Sequence, residues 1–381
     1  MNKKILTGGV IALIVLAIIA IGFNVTQING NFTAGAKETI KIGYLGPLTG
    51  DMASIGEGQL KAVLLAVDEI NSKGGINGAK IELIAEDGTC DGKAAITAMT
   101  KLVEVDNVKY VVGGQCSSET IAAAPLAEKN KVLLLSPLSS NPNITTMGDY
   151  IFRNYPSDSY QGKIAAEYVA NTMHLKKAAI LSCLSDYCVG LKNEFKTNFE
   201  KAGGEVVLIQ EFEKGATNLK TELSKIKNSG AEIIYMPAYP VETTTAFEEA
   251  KELGINTPFF GGDGWENSNL WKEIGAIAEG AKYISPRTIE NNEFKTKFNE
   301  KYPNSEITLA ATNNYDAIKI IAQAIAKVGN DSTKVKEYLY KMPTYNGVAG
   351  KTAFNENGDL VTAEYVIKEI KNGSPEEIQI A

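Results

Sequence analysis

Two short loops carry the residue types that could do chemistry. Gly113-Gly114-Gln115-Cys116-Ser117-Ser118-Glu119 follows an apolar strand-like run and leads into a helix-like one. Hydroxyls and free backbone N–H groups therefore meet where a helix begins, a favourable place for an anion. The same serines also suit an N-cap, and the two roles are compatible. Ser136-Pro137-Leu138-Ser139-Ser140-Asn141-Pro142 is a second hydroxyl-rich loop after an apolar run. Neither loop brings a nucleophile together with a base. The single histidine, His174, stands beside Lys176 and Lys177 at a helix end just before a strand. That is the far end of a sheet from these loops, where a solvated histidine is expected. One imidazole also rules out a two-His zinc site.

Other classes are excluded by composition. Gly43-Tyr44-Leu45-Gly46 is a fragment of a dinucleotide loop, but the full G-x-G-x-x-G and a P-loop lysine are absent, so no nucleotide cofactor and no other cofactor or metal is expected. The net charge is -7, and only Arg153 and Arg287 are arginines. Nucleic acid, which is read best by the guanidinium fork, is not an expected partner.

The elements that must position these loops alternate. Strands are expected at Thr39–Leu45, Lys80–Ala85, Lys109–Val112 and Val132–Leu135, with helices at Ile55–Asn71, Lys93–Val105 and Glu119–Lys129 between them. The rhythm restarts with helix Tyr160–Asn171 and runs through strands Ala178–Ser182, Val206–Gln210, Glu232–Met236 and Pro258–Phe260. Intervening helices are Gly190–Ala202, Leu219–Lys227 and Val241–Leu253. Helices near Glu293–Lys301, Leu309–Val328 and Val335–Lys341 follow, then a hairpin from Gly347 to Asp359 and a last strand, Glu364–Ile370. The pattern predicts an α/β fold of two doubly wound parallel sheets, with ligand loops beyond the carboxyl ends of the strands.

Ahead of this pattern, Lys3 and Lys4 precede an uncharged apolar run from Ile5 to Phe23. Its length, roughly 29 Å as a helix, matches a bilayer core. Residues 1–23 read as a cleaved signal or an uncleaved anchor. The small triplet Ala34-Gly35-Ala36 lies far from the run, which favours the anchor, and residues 24–38 read as a tether. Either way the remainder is exported, outside the cytosol, where four cysteines suggest disulfides. Cys90 and Cys116 each sit in a polar loop after a strand-like run and pair by place and elimination; Cys183 and Cys188 flank a short loop and either bridge or stay free. Sequons at Asn24, Asn31, Asn143, Asn330 and Asn372 permit glycosylation.

The stretch from Ile40 to Ala95, with its helix ending in DEIN-x-x-GGI-x-G and then D-x-x-C-D, resembles the opening of branched-chain-amino-acid-type solute-binding proteins of ABC importers. Tyr110-Val-Val-Gly-Gly-x-Cys-Ser-Ser and Ser-Pro-x-x-Ser-Asn-Pro continue the resemblance, which runs from about Ile40 to about Ile370. It implies the type I periplasmic-binding fold, two lobes joined by a three-strand hinge. On this reading residues 39–156 and 286–361 form lobe 1, and 157–285 and 362–376 form lobe 2. It implies a Cys90–Cys116 disulfide; a Cys183–Cys188 bridge is not a usual family feature. Carried over residue by residue, Ser117 binds a ligand α-carboxylate, and Ser140, with the backbone of Leu138 and Ser139, contacts carboxylate and ammonium. Tyr187 and Tyr239 line the second lobe, and Asp263, where glutamate is frequent, pairs with the ammonium. Ile55, where a large aromatic is frequent, and Gln115, where an apolar residue is frequent, leave a roomier and more polar side-chain pocket than the leucine pattern. The resemblance implies a non-enzymatic, monomeric receptor that takes an amino acid or a related amide to a membrane permease by hinge closure. A sensory module for amino acids, amides or urea is the alternative, and an exported hydrolase a third reading.

Overall fold

The computed structural model describes residues 39–378. The expected membrane segment and tether lie outside these residues; among the described residues no helix is long and apolar enough to cross a membrane.

The first sheet is wholly parallel, in the order β2-β1-β3-β4-β5. Its strands are β1 (Ile40–Gly46), β2 (Ile81–Asp87), β3 (Tyr110–Gly113), β4 (Leu133–Ser136) and β5 (Ile151–Arg153). Every residue of β3, β4 and β5 is buried, as expected for strands covered on both faces. The covering helices are α1 (Ala53–Ser72), α2 (Gly92–Thr100) and α3 (Ser117–Asn130).

The second sheet has the order β14-β13-β10-β9-β8-β6-β7. It is built from β6 (Lys177–Cys183), β7 (Glu205–Phe212), β8 (Ile233–Met236), β9 (Phe259–Gly261), β10 (Lys282–Pro286), β13 (Tyr365–Lys371) and β14 (Ser374–Ile378). Strands β6 to β10 are parallel, whereas β13 and β14 run antiparallel at one edge. Helices α4 (Asp158–Glu167), α5 (Asp186–Lys201), α6 (Lys220–Lys227), α7 (Pro240–Glu252) and α8 (Ser268–Ile274) belong to this half. Helices α9 (Asn292–Lys301), α10 (Ala311–Val328) and α11 (Ser332–Leu339) return to the first core, where Phe298, Ile318, Ile321 and Val335 pack with Ile42 and Val112. The chain therefore passes between the sheets three times: after β5, after β10 and before β13.

The alternating pattern emerged as expected, and four elements were not foreseen. Strand β5 has three residues and β10 five, and β10 has no strict alternation. Helix α8 is seven residues, started by the Asn267 side chain accepting from the Asn269 and Leu270 amides. Strand β14 is half exposed and exists by pairing with β13. The expected hairpin from Gly347 to Asp359 is tighter and earlier: β11 (Tyr345–Gly347) pairs with β12 (Gly350–Thr352). The buried Asp316 carboxylate on α10 accepts the turn amides of Val348 and Ala349, at 3.1 and 2.8 Å, and so places the turn there.

Each sheet reverses its winding once, between β1 and β3 and between β6 and β8, and a crevice opens beyond the strand ends at such points. The loops after β3, β6 and β8 carry Ser117, Tyr187 and Tyr239; those after β4 and β9 carry Ser140 and Asp263.

Candidate functional site

In the first half, the site is built around the carbonyl of Gly114. It accepts the hydroxyls of Ser136 (2.7 Å), Ser139 (2.9 Å) and Thr120 (3.1 Å), which ties the two serine loops together. Gly113 makes this possible, because its φ of 142° is open to glycine and an added Cβ would lie 2.1 Å from the Leu45 carbonyl. Ser139 is thus a structural hydroxyl. Leu138 is half-buried beside it. The N-cap of α3 is Cys116, with Ser117 as the first helical residue. The Ser117 hydroxyl accepts from the Asn141 amide at 3.2 Å and keeps its own proton to donate.

Behind this loop lies the fully buried Glu119. Its carboxylate accepts the backbone amides of Cys90 (2.9 Å), Gln115 (2.8 Å) and Cys116 (3.0 Å). Burial pushes its pKa up to about 7, opposed by those three amides and by the Lys214 charge. The Cys90–Cys116 disulfide is formed and joins the same two strands of loop. Gln115 is buried in a reciprocal amide pair with Asn314 (2.8 and 3.1 Å), so its side chain serves the packing of α10 against the loop rather than a pocket wall.

The second half presents acids. Asp263 follows β9 in a single 3-10 turn and is 2% exposed. Its Oδ1 accepts the Tyr187 hydroxyl (2.8 Å) and the Gln161 amide (3.0 Å), and its Oδ2 the Tyr155 hydroxyl (2.7 Å). A carboxylate has about four acceptor positions, so one remains on Oδ2. The Tyr187 phenol is itself held by the Gly264 amide at 2.9 Å. Tyr187 is the second residue of α5, whose start is fixed by the Ser185 cap and by the Cys183–Cys188 disulfide, which is formed. The Tyr239 ring lies 5.4 Å from that of Tyr187, and its hydroxyl reaches the Cys90 sulfur at 3.9 Å.

The two halves meet at Asp158, the first residue of α4. Its amide donates to the Ser140 carbonyl (2.8 Å), and its Oδ2 accepts the Ser140 hydroxyl (2.8 Å). Ser140 has therefore committed its proton and offers only lone pairs. Gln161 bridges the acids, donating to Asp158 Oδ1 at 2.9 Å as well as to Asp263. Burial is the main cause that raises the pKa of both, and for Asp158 the charge of Asp263 adds to it. Arg153, fully buried, donates to the carbonyls of Ser140 and Asn141 and pairs with Asp359 at 2.5 Å. Lys214 crosses to the first half and donates to the Cys90 carbonyl at 2.7 Å.

Ser117, Ser140, Tyr187, Tyr239 and Asp263 are thus brought into one buried region by five separate loops. Sequence reasoning missed Arg153, Tyr155, Asp158, Gln161, Glu119 and Lys214. The scarcity of arginine was one usable signal, and Ser157-Asp158 as a helix start was another. Ile55 belongs to the same buried apolar cluster as Cys116, Tyr187 and Tyr239 and lines a cavity of about 640 Å³ beside the chain crossings, together with Tyr155. His174 is exposed at a left-handed turn.

Residues 39–375 match the family model described as periplasmic binding protein. The chain is 33% identical to the leucine-, isoleucine-, valine-, threonine- and alanine-binding protein of Pseudomonas aeruginosa over 344 residues, 88% of this chain and 90% of that one. It is 30% identical to an amino acid binding protein of the same organism, with 97% of each chain covered. Among solved structures, the branched-chain amino acid transporter substrate binding protein of Streptococcus pneumoniae, in complex with isoleucine, superposes with a TM-score of 0.80 at 31% identity, covering 89% of this chain and 98% of that one. The leucine binding protein of Thermotoga maritima gives a TM-score of 0.81 at 26% identity, covering 90% and 98%. Two doubly wound sheets crossed three times by the chain, and a match over almost all the described residues, make this chain a member of the periplasmic binding protein family, with the type I fold of the branched-chain amino acid ABC transporter substrate-binding proteins.

Proposed function

We propose that this chain is an extracytoplasmic solute receptor that holds an α-amino acid, or a related amide, between lobe 1 (39–156 and 286–361) and lobe 2 (157–285 and 362–376) and delivers it to an ABC permease. One observation carries the reading: opposite polarities face the same buried region from the two halves. Ser117 offers a free hydroxyl proton at the start of a 14-residue helix. Asp263, from the second half, offers a carboxylate acceptor, and the lone pairs of Ser140 border it from the first. A zwitterion satisfies both ends at once, its carboxylate on the hydroxyl and helix start and its ammonium on the acid. A ligand that touches both lobes favours closure through contacts it makes only in the closed form. Tyr187 and Tyr239 close over the ammonium end, and Leu138 and Ser139 shape the loop that bears Ser140. The apolar run in residues 1–23 tethers the receptor to the membrane, and the protein acts as a binder rather than a catalyst.

A thermal-shift panel of amino acids, amides and urea on the purified chain tests this. Stabilisation by at least one zwitterionic amino acid is expected; a panel in which none raises the Tm overturns the amino-acid assignment.

A further inference from the structure

The cavity of about 640 Å³ beside the crossings is walled by residues from both halves, and its function is not explained by the head-group site. It lies in the size range of small-molecule sites. At about 30 Å³ per water it equals roughly twenty water volumes, several times a leucine side chain. It joins the head-group site through one residue: Tyr155 lines the cavity, and its hydroxyl donates to Asp263 Oδ2 at 2.7 Å.

The lining is graded. The buried part is apolar, with Ile55, Tyr155 and Ala310, and beside it stand the half-buried Thr308, Thr312 and Asn313. The ionic residues either pair off or stand in solvent. Glu266 takes Lys368 with both oxygens, at 2.7 and 2.8 Å. Arg287 is shared by Glu364 and Glu377. Lys351 is exposed. Thr308 and Asn313 already donate to the Ile55 and Asn154 carbonyls, at 2.9 and 2.7 Å, which leaves the Thr312 hydroxyl as the lining group to be matched. A purely aliphatic branched side chain would leave it unmatched, whereas a charged tip would have to compete with ion pairs already made.

We propose, resting on the amino-acid reading above, that this cavity receives the ligand's side chain and selects one longer than leucine's that ends in a neutral hydrogen-bonding group, of the carboxamide kind. Ile55 and Tyr155 set its entrance. Thr312, whose hydroxyl is not spent on the α10 cap, is a specificity residue at its polar wall.

Titration calorimetry of the purified full chain with L-alanine, L-leucine and L-glutamine tests it. Glutamine is expected to bind at least tenfold tighter than leucine. Ile55→Trp, which fills the entrance, should cut the glutamine-to-alanine preference at least tenfold. Thr312→Val, a near-isosteric change at a half-exposed position, should lower the glutamine-to-leucine ratio about fivefold and so serves where the larger substitution disturbs folding. Leucine as the tightest of the three, or ratios unmoved by both variants, overturns the side-chain proposal while leaving the amino-acid reading intact. If none of the three binds and no other amino acid does, both fall together.

Discussion

The two walls of the buried region use their acids in opposite ways. On the first, Glu119 sits behind the loop and accepts three backbone amides, so the surface left in front is one of hydroxyls. On the second, Asp263 is at the front, and two phenols and an amide stand behind it as donors. Both acids are fully buried and both are pushed up by burial. The difference lies in what each supports: one acid organises backbone, whereas the other is itself organised by side chains. Polarity at such a site is therefore decided by which face of the loop hides the carboxylate, not by how many carboxylates are present.

The largest expected break in this asymmetry is Asp263→Ala. Loss of a charge-assisted contact in a buried site costs about 3 kcal/mol, roughly 100-fold in Kd. Calorimetry with the best amino acid from the panel reads it, with circular dichroism to show that the fold survives. Unchanged affinity would remove Asp263 from the site.

Glu119 gives a stability signature of comparable size but different kind. Its folded pKa, about 7, is raised above the ordinary glutamate value of 4.5, so the folded form binds the proton more tightly. The stabilisation is complete below about pH 4.5 and is lost as pH rises to about 7, a change of roughly 3 kcal/mol. The difference in unfolding free energy between the protein and its Glu119→Gln variant should fall across that window and be flat outside it. A difference that is flat throughout would mean that Glu119 titrates like a solvated acid.

Ser117→Ala probes the hydroxyl wall more gently. One hydrogen bond to a ligand carboxylate is removed, and the expected loss is about tenfold in Kd. If the loss equals that of Asp263→Ala, the two walls are not specialised as described. The smallest effect is expected for Lys214→Met, which cuts the bond from the second half to the Cys90 carbonyl. About two- to threefold weaker binding, seen as a faster off-rate in stopped-flow, fits a partly solvated contact. A change in on-rate alone would place Lys214 in encounter rather than closure.

Much of this was legible beforehand for particular reasons. The strands β3 and β4 are unbroken apolar runs, and α1 repeats its apolar residues at helical spacing, so burial and periodicity named them. Ser117 and Ser140 stood out because hydroxyls cluster in loops after such strands. Strands β5 and β10 were invisible because three to five residues carry no period, and the register of a neighbour decides them. Gln115 was expected at a pocket because the resemblance puts a pocket-lining apolar residue at its position. Its partner Asn314 lies 199 residues away, a pairing no local rule supplies.

The amino-acid sequence by itself determined the alternating α/β order and the hydroxyl loops, since each depends on periodicity or on neighbours in the chain, and it pointed to the Cys90–Cys116 pair while leaving Cys183–Cys188 open. Only the tertiary structure decided that Gln161 would join Asp158 to Asp263, that Ser140 would spend its proton on Asp158, and that Tyr155 would stand between the acid and a cavity. Those facts depend on donors and acceptors up to 108 residues apart, and a hydrogen bond's direction is fixed only when both partners are in place.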